Sequence, residues 1–491
     1  MARYKDYSYE QTKMVAISYD RQVLPGTFEH TLSDVINSLD MSIFDDRYRN
    51  DETGAPAYDP RILLKIILFA YSKGIIYSRR IAQLCNENVV FMALSADSRP
   101  HFTTIANFVS SMQEEIIAIF RHVLQICMEL DLIDGCMFAI DGVKLPSNAS
   151  KEWSGTKEDL RKKKEKLEAA LDCMVRQHRN RDTEDIDNIS DDEEFKKRLD
   201  RARKKVEKLD NWLENNEDKV SSRRRTKQSN VTDNESAKMK TSHGVIQGYN
   251  GMAVVDSKHQ VIVNAEAFGQ GHDTNLLKPA IEGTKEAFEG IGVSDNCFEG
   301  AVVTADTGFH STDNLEYLEA EGIDGYVPDS NFRKRDPRFS TAPRHKEKNT
   351  WGAQTYTKED FAYISEGDYF ICPEGHKLTK SNSDLSTNGI TYYKYNAKQR
   401  ICGSCSARMK CIDHKHRRPR SLFRRSDGCN VFTERMRNKI DTEYGRKIYS
   451  KRMSVVEPVF GNIRWAKGMH RFTLRTKRKV NVQWLFYCLI H

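Results

Sequence analysis

Three acids stand in settings that leave them mostly apolar company. Asp141 closes the run Phe138-Ala139-Ile140 and is followed by Gly142. Asp306 closes a second run, Ala301-Val302-Val303-Thr304-Ala305, ahead of Thr307-Gly308. Apolar runs bounded by glycine read as buried strands, and a carboxylate taken out of water at a strand's end needs a partner or a cation. Glu457 lies in Val455-Val456-Glu457-Pro458-Val459-Phe460, where an acid is also expected to be paired. Two strand-borne Asp and one helical Glu suffice to hold two divalent cations about 4 Å apart, the arrangement that cleaves phosphodiesters. Mg²⁺ asks for few protein ligands and keeps its other positions for water or substrate. Each acid also has a plainer reading, as a turn-capping Asp or as a Glu457–Arg464 pair two helical turns apart.

The cysteines form a second constellation. Cys402-Gly403-Ser404-Cys405 is followed by Cys411, and Cys372 lies thirty residues upstream of Cys402. These four could give a tetrahedral Zn²⁺ site, with His376 and His414 as alternative ligands. Four cysteines also suit an iron–sulfur cluster, and unmetallated thiols are the third reading. The other seven of the eleven Cys are scattered and read as small apolar side chains.

A net charge of +7 and a pI near 8.7 suit a polyanionic partner without demanding one. Cations concentrate at His416-Arg417-Arg418-Pro419-Arg420 and from Arg471 through Lys479. The N-terminus lacks the apolar core of a signal peptide, and the run Ile62 to Ala70 is too short to span a bilayer. The chain therefore reads as soluble and cytoplasmic, with reduced thiols and no membrane partner. Trp153 and Trp465 flank the acids in sequence; each reads as a base-stacking platform or as ordinary packing.

The elements that must position these groups follow in order. Residues 1–55 read as polar and irregular. Asp59-Pro60 caps a helix carrying Ile62, Leu63, Ile66, Ile67 and Ala70; Ser78 and Thr103 open two more, and Met112 to Leu130 forms a fourth. Short helices with Arg79, Arg80 and Arg99 near their ends suit a helix-turn-helix-like module, or simply helical packing. Heptad spacing of Leu160 and Leu167, then of Leu199, Val206 and Leu213, predicts an antiparallel helical hairpin whose loop is the acidic stretch 182–194. Residues 248–267 predict a β-hairpin, followed by a helix from Asp273 to about Gly290, the Asp306 strand, a helix from Ser311 to Glu321 and a strand at Gly325–Pro328. That order is α/β with a mixed sheet. Residues 331–429 lose that order and read as basic and polar. A helical stripe from Met436 to Ile463 follows, with a kink or restart expected at Pro458.

The chain resembles the DDE transposases of bacterial insertion sequences, in a subgroup with a coiled-coil-like segment after the first Asp and a cysteine-bearing segment before the Glu. The resemblance covers about residues 50 to 491. It rests on Asp141-Gly142 with Asn148-Ala149-Ser150, on Met239-Lys240 through Gly248-Tyr249-Asn250, on Ala305-Asp306-Thr307-Gly308, and above all on Val456-Glu457-Pro458-Val459-Phe460-Gly461-Asn462-Ile463. It implies an RNase H-like catalytic domain over 136–150, 231–330 and 430–491, with a helical-hairpin insertion at 151–230 and a cysteine-bearing insertion at 331–429. It implies an N-terminal helical DNA-binding domain over 1–135 for terminal inverted repeats. Asp141, Asp306 and Glu457 would bind two Mg²⁺ or Mn²⁺. Arg79, Arg80, Arg452, Arg464, Lys467, Arg471 and Arg475 are the cations expected on DNA.

Tyr449, Arg452, Glu457 and Arg464 occupy places comparable to those on the family's Glu helix. The Arg452–Glu457 gap is one residue longer than the pattern, and Arg464 stands where Lys is usual. The resemblance therefore carries over Glu457 but not the roles of the two arginines. The apolar C-terminal run also stops, at His491, earlier than the resemblance implies. The implied reaction is hydrolysis at the transposon end, followed by attack of the freed 3′-hydroxyl on target DNA in a homodimeric or larger synaptic complex at the bacterial nucleoid. The alternatives are an RNase H-like nuclease that does not join strands and a domesticated DNA-binding protein without catalysis.

Overall fold

The computed structural model describes residues 10, 17–48, 56–182, 189–220, 226–242, 244–293, 296–339, 356, 358–381, 385–387, 390–412, 419–425 and 431–491. His414 and the cluster His416-Arg417-Arg418 lie outside these residues, as do residues 183–188 of the acidic stretch expected to be the loop of the helical hairpin; that expectation is corrected in part, because Asp182 ends the first helix and residues 189–194 already belong to the second. The chain divides into two compact units, residues 1–304 with 451–491, and residues 305–450.

In the larger unit the N-terminal part is helical. Helices α1 (Phe28–Ser38), α2 (Pro60–Ser72), α3 (Ser78–Glu87), α4 (Val89–Leu94), α5 (Phe102–Ser111) and α6 (Gln113–Glu129) follow in order. Local chemistry starts them. Asp59 accepts the Arg61 N–H with Pro60 in the first position, Asn88 caps α4, and the His101 ring accepts the Thr103 N–H. Two expectations are corrected. Residues 1–55 are not wholly irregular, because Thr27 caps α1 and Leu32 and Ile36 bury its inner face. Ser78 does not cap α3: the helix begins at that residue, after Tyr77.

The sheet of this unit is built on β1 (Met137–Pro146), β2 (Ala237–Thr241), β3 (Gly244–Asp256), β4 (Ile262–Phe268) and β5 (Val302–Ala305). β3 is the spine. It pairs antiparallel with β1 in the register Asp141↔Ala253, and on its other side with β2 and then β4. β5 lies beside β1, where the Val302 N–H donates to the Cys136 carbonyl at 2.9 Å and the Thr304 hydroxyl to the Phe138 carbonyl at 3.3 Å. Both contacts advance in the same direction, so the sheet is mixed. One face carries Phe138 against Phe288 and Phe298. The other carries Ala139, Val143 and Leu145 into a core shared with Val456, Val459 and Phe460.

Between β1 and β2 stand α7 (Lys157–Asp182) and α8 (Ile189–Asn215), packed on each other. The expected heptad positions contribute unevenly: Leu160 is buried, while Leu167, Leu199, Val206 and Leu213 are half-buried, and Leu209 and Trp212 complete the buried cluster. The seam is thus concentrated where the pair meets Trp153 and Val231. Helix α9 (Leu277–Glu289) covers β3 and β4.

The second unit holds α10 (Thr312–Ala320), the short strand Asp324–Tyr326, and a six-stranded antiparallel sheet. Its strands are β6 (Ala362–Ile364), β7 (Tyr369–Ile371), β8 (Lys377–Lys380), β9 (Leu385–Thr387), β10 (Ile390–Ala397) and β11 (Ser421–Arg425), in the order β6-β7-β8-β10-β9 with β11 also on β10. Residues 331–429, for which the sequence predicts only a loss of the α/β order, thus hold an antiparallel sheet of their own. Its core is small: Phe361, Phe370, Leu378, Tyr395, Ala397 and Leu422. Helix α11 (Val431–Asp441) follows.

Helix α12 (Glu443–Gly461) runs through Pro458 with no break and ends in a π-helical turn at Asn462–Ala466. The expected restart is absent. Pro458 has no N–H for the Ser454 carbonyl four residues back; the Gln260 side chain donates to that carbonyl instead, at 2.9 Å. Helix α13 (Lys477–Leu489) is buried on every side from Val480 to Cys488. No helix among the described residues is long and apolar enough to cross a membrane.

Candidate active site and its basic flank

Asp141 is not at the end of its strand. It sits in the middle of β1, because Gly142 continues the ladder instead of ending it. The glycine serves close packing: a Cβ there would lie 2.6 Å from both Asn250 Oδ1 and Met252 Sδ on β3. Strand alternation turns Asp141 toward the face shared with α12. Arg452 meets it there, Nη1 donating to Oδ2 at 2.6 Å, while Oδ1 accepts the Gly142 N–H at 2.8 Å. Arg452 is buried and Asp141 nearly so. Desolvation offsets much of the attraction in such a pair, but removing one partner would leave the other charge uncompensated.

Glu457 follows Arg452 by five residues on the same helix, about 7.5 Å along its axis. It is exposed, and among the described residues it has no ion-pair partner. The alternative pairing with Arg464 does not form; Arg464 instead lies 5.7 Å from the Trp465 ring. Asp306 belongs to the second unit. It caps the turn Thr307–Phe309 and accepts the Gly308 N–H at 2.7 Å. His310 sits in the same turn and bonds through Nδ1 to the Val327 carbonyl at 2.9 Å. The three carboxylates are hard oxygen donors of the type Mg²⁺ or Mn²⁺ takes. Among the described residues, however, no three His, Cys, Asp or Glu side chains are gathered into a metal cage.

Beyond β1 the chain enters Ser147-Asn148-Ala149-Ser150, which lines an open basin of about 660 Å³ with Trp153, Lys208, His470, Arg471 and Arg475. Arg475 donates to the Asn148 carbonyl at 2.9 Å, and Asn148 Nδ2 to the Thr473 carbonyl at 2.9 Å. Arg471 reaches the Ser147 carbonyl at 3.4 Å. Trp153 lies between Lys163 and Lys208, 4.5 and 5.5 Å from its ring centre. Lys208 carries no sequence signal, being one cation among many on α8. Burial lowers the Lys208 pKa, with Arg475 adding to the effect.

The remaining expected cations are dispersed. Arg79 lies over Phe102 at 4.8 Å, and exposed Arg80 pairs with Glu87 at 3.3 Å. Lys467 is half-buried beside Gly74, and burial lowers its pKa. Trp465 is 74% exposed. On the opposite face of the sheet, Lys144 and Asn250 both bond to Asp273, at 3.0 and 2.7 Å. Sequence reasoning missed this cluster, whose only signal is Lys144 and Asn250 facing each other in register.

In the second unit, Cys372, Cys402, Cys405 and Cys411 line one small cavity with His376 at its edge. Burial pushes the Cys411 thiol up; Arg420 opposes this, and Cys402, Cys372 and Cys405 reinforce it, so the four sulfurs share one neighbourhood.

A mixed sheet with a carboxylate amid its strands is consistent with the RNase H-like class. Two family models match the chain: a transposase domain (DUF772) over residues 17–111 and a transposase DDE domain over residues 371–491. Together they indicate an insertion-sequence transposase of the DDE type. The first spans α1 to α5; the second contains Glu457 and all four cavity cysteines. No curated protein matches the chain.

Proposed function

We propose that this chain binds the terminal inverted repeats of its element, cleaves phosphodiester bonds at the ends and joins the resulting 3′-hydroxyl to target DNA. The observation that carries the reading is the Arg452–Asp141 pair. It anchors the helix bearing Glu457 on the strand bearing Asp141, so two distant acidic motifs of the transposase pattern converge on one element pair. Asp141, Asp306 and Glu457 are the side chains that would hold divalent cations, which supply nucleophile activation and charge stabilisation when bound. That role requires Asp141 to leave Arg452. The basin of Arg471, Arg475 and Lys208 offers phosphate contacts at the end of the same strand, and the short N-terminal helices offer a surface for inverted repeats.

The test is a cleavage and strand-transfer assay on DNA carrying the element's own ends, with Mg²⁺ or Mn²⁺. Cleavage and joining are expected, and Asp141→Asn, Asp306→Asn and Glu457→Gln should each lower both by about a hundredfold or more. Cutting without joining would favour a nuclease, and binding without cutting would sink the enzymatic reading.

A further inference from the structure

We propose that Cys372, Cys402, Cys405 and Cys411 hold a single structural zinc ion that ties the β7–β8 turn to the two short helical turns preceding β11. The site is independent of the phosphodiester chemistry above. Cys372 ends β7 in a tight turn: Gly375, at φ +81°, donates to the Cys372 carbonyl at 2.8 Å, and the Cys372 N–H donates to the His376 carbonyl at 2.8 Å. The turn also aims the His376 N–H at Cys372 Sγ, at 3.2 Å. An amide donor on sulfur stabilises a thiolate, the form a metal requires. Cys402 lies on the turn Gln399–Gly403, Cys405 just beyond it, and Cys411 ends the turn Arg408–Cys411.

All four, drawn from two separate stretches of chain, line a cavity of about 30 Å³. That is room for one ion or water. No three donors there are closed to ligand distance among the described residues, so the ion would draw the four side chains inward. Binding releases four thiol protons to solvent and leaves a Zn(SR)₄ centre of charge −2. Arg408 and Arg420 are placed to offset it, donating to the Cys402 and Cys411 carbonyls at 3.3 and 3.2 Å.

The surrounding sheet needs such a tie. Among the described residues the six strands share six buried apolar side chains, and small cores of this kind are usually completed by a metal or a disulfide. The four cysteines are free thiols.

Metal analysis of the purified full-length chain should find about one zinc per chain, without stoichiometric iron or acid-labile sulfide. Cys405→Ser and Cys411→Ser should each drop that content to near zero, while Cys136→Ser, at an exposed site in the other unit, should keep it. Should the cysteine variants prove insoluble, replacing the zinc of the wild-type chain with Co²⁺ should give the intense sulfur-to-metal absorption of a tetrahedral thiolate site. Asp141→Asn should retain the zinc, so loss of activity and loss of zinc are separable outcomes. A metal-free chain, an iron-loaded chain, or zinc retained in soluble Cys405→Ser and Cys411→Ser would each overturn the proposal.

Discussion

Arg452 is the residue on which the two acidic motifs depend. Its guanidinium neutralises Asp141 inside the protein, so Arg452→Ala leaves a nearly buried carboxylate short of a donor. We expect that change to lower unfolding stability by about 2–3 kcal/mol in urea titration. Arg452→Lys should recover part of the loss, because a point charge cannot reproduce the guanidinium's geometry. An Arg452→Ala protein as stable as wild type would show that the pair contributes nothing. The sequence pattern located Asp141, Asp306 and Glu457 but misjudged the surroundings of two of them. Gly142 reads as a strand terminator, yet it is a close-contact position inside a strand, a distinction only the facing Asn250 and Met252 reveal. Glu457 reads as buried because its sequence neighbours are apolar; on a helix those neighbours point elsewhere, and Glu457 itself is exposed. The Arg452–Asp141 partnership spans 311 residues of sequence and left no local trace.

At the scale of elements, helix α12 and strand β3 each depend on one compensation. Pro458 strands the Ser454 carbonyl and Gln260 takes it up, so Gln260→Ala should cost about 1 kcal/mol and loosen the helix around Glu457. Hydrogen exchange in that turn would report it, and unchanged protection would refute the role given to Gln260. On β3, a Cβ at Gly248 would lie 2.0 Å from the Leu145 carbonyl oxygen. Gly248→Ala should therefore destabilise the larger unit by about 1–3 kcal/mol, read as a lowered thermal midpoint. Elements with a strong period were legible in sequence: α2, the β3–β4 hairpin, α9 and α10 fall close to where periodicity and caps put them. The six-stranded sheet was not. Its strands are mostly three to five residues long, too short for alternation to outvote the basic and polar residues around them. Helix α1 escaped for a similar reason, with only Leu32 and Ile36 buried along it.

For the molecule as a whole, charge sets two measurable behaviours. If Arg471, Arg475 and Lys208 meet phosphates, alanine at each should reduce the log–log salt slope of DNA binding by about 1, uniformly across sequences. An unchanged slope would remove the basin from the DNA interface. Acid should act on the second unit through Asp329. Burial alone would raise its pKa, but Arg335, at 2.7 and 3.0 Å, and Arg437 outweigh it and hold the carboxyl below 3.8. A depressed carboxylate contributes stability that is complete above its unfolded pKa and is lost as pH falls through the folded one. Melting scans below about pH 4 should show that loss, and Asp329→Asn should flatten it. The larger unit carries a group of opposite sign: burial raises Asp233 despite its bonds from Tyr249 and Thr476, so its contribution fades as pH climbs past 3.8 toward the folded value.

Helix α13 has a consequence for how the chain is made. It packs against α2, α5, α6 and β4, yet it follows all of them in the chain. At about 5–20 residues per second, the apolar faces of those earlier elements wait tens of seconds for the segment that covers them. The larger unit therefore completes its core only once this late helix has been translated, and until then nascent chains expose surface that chaperones would need to shield.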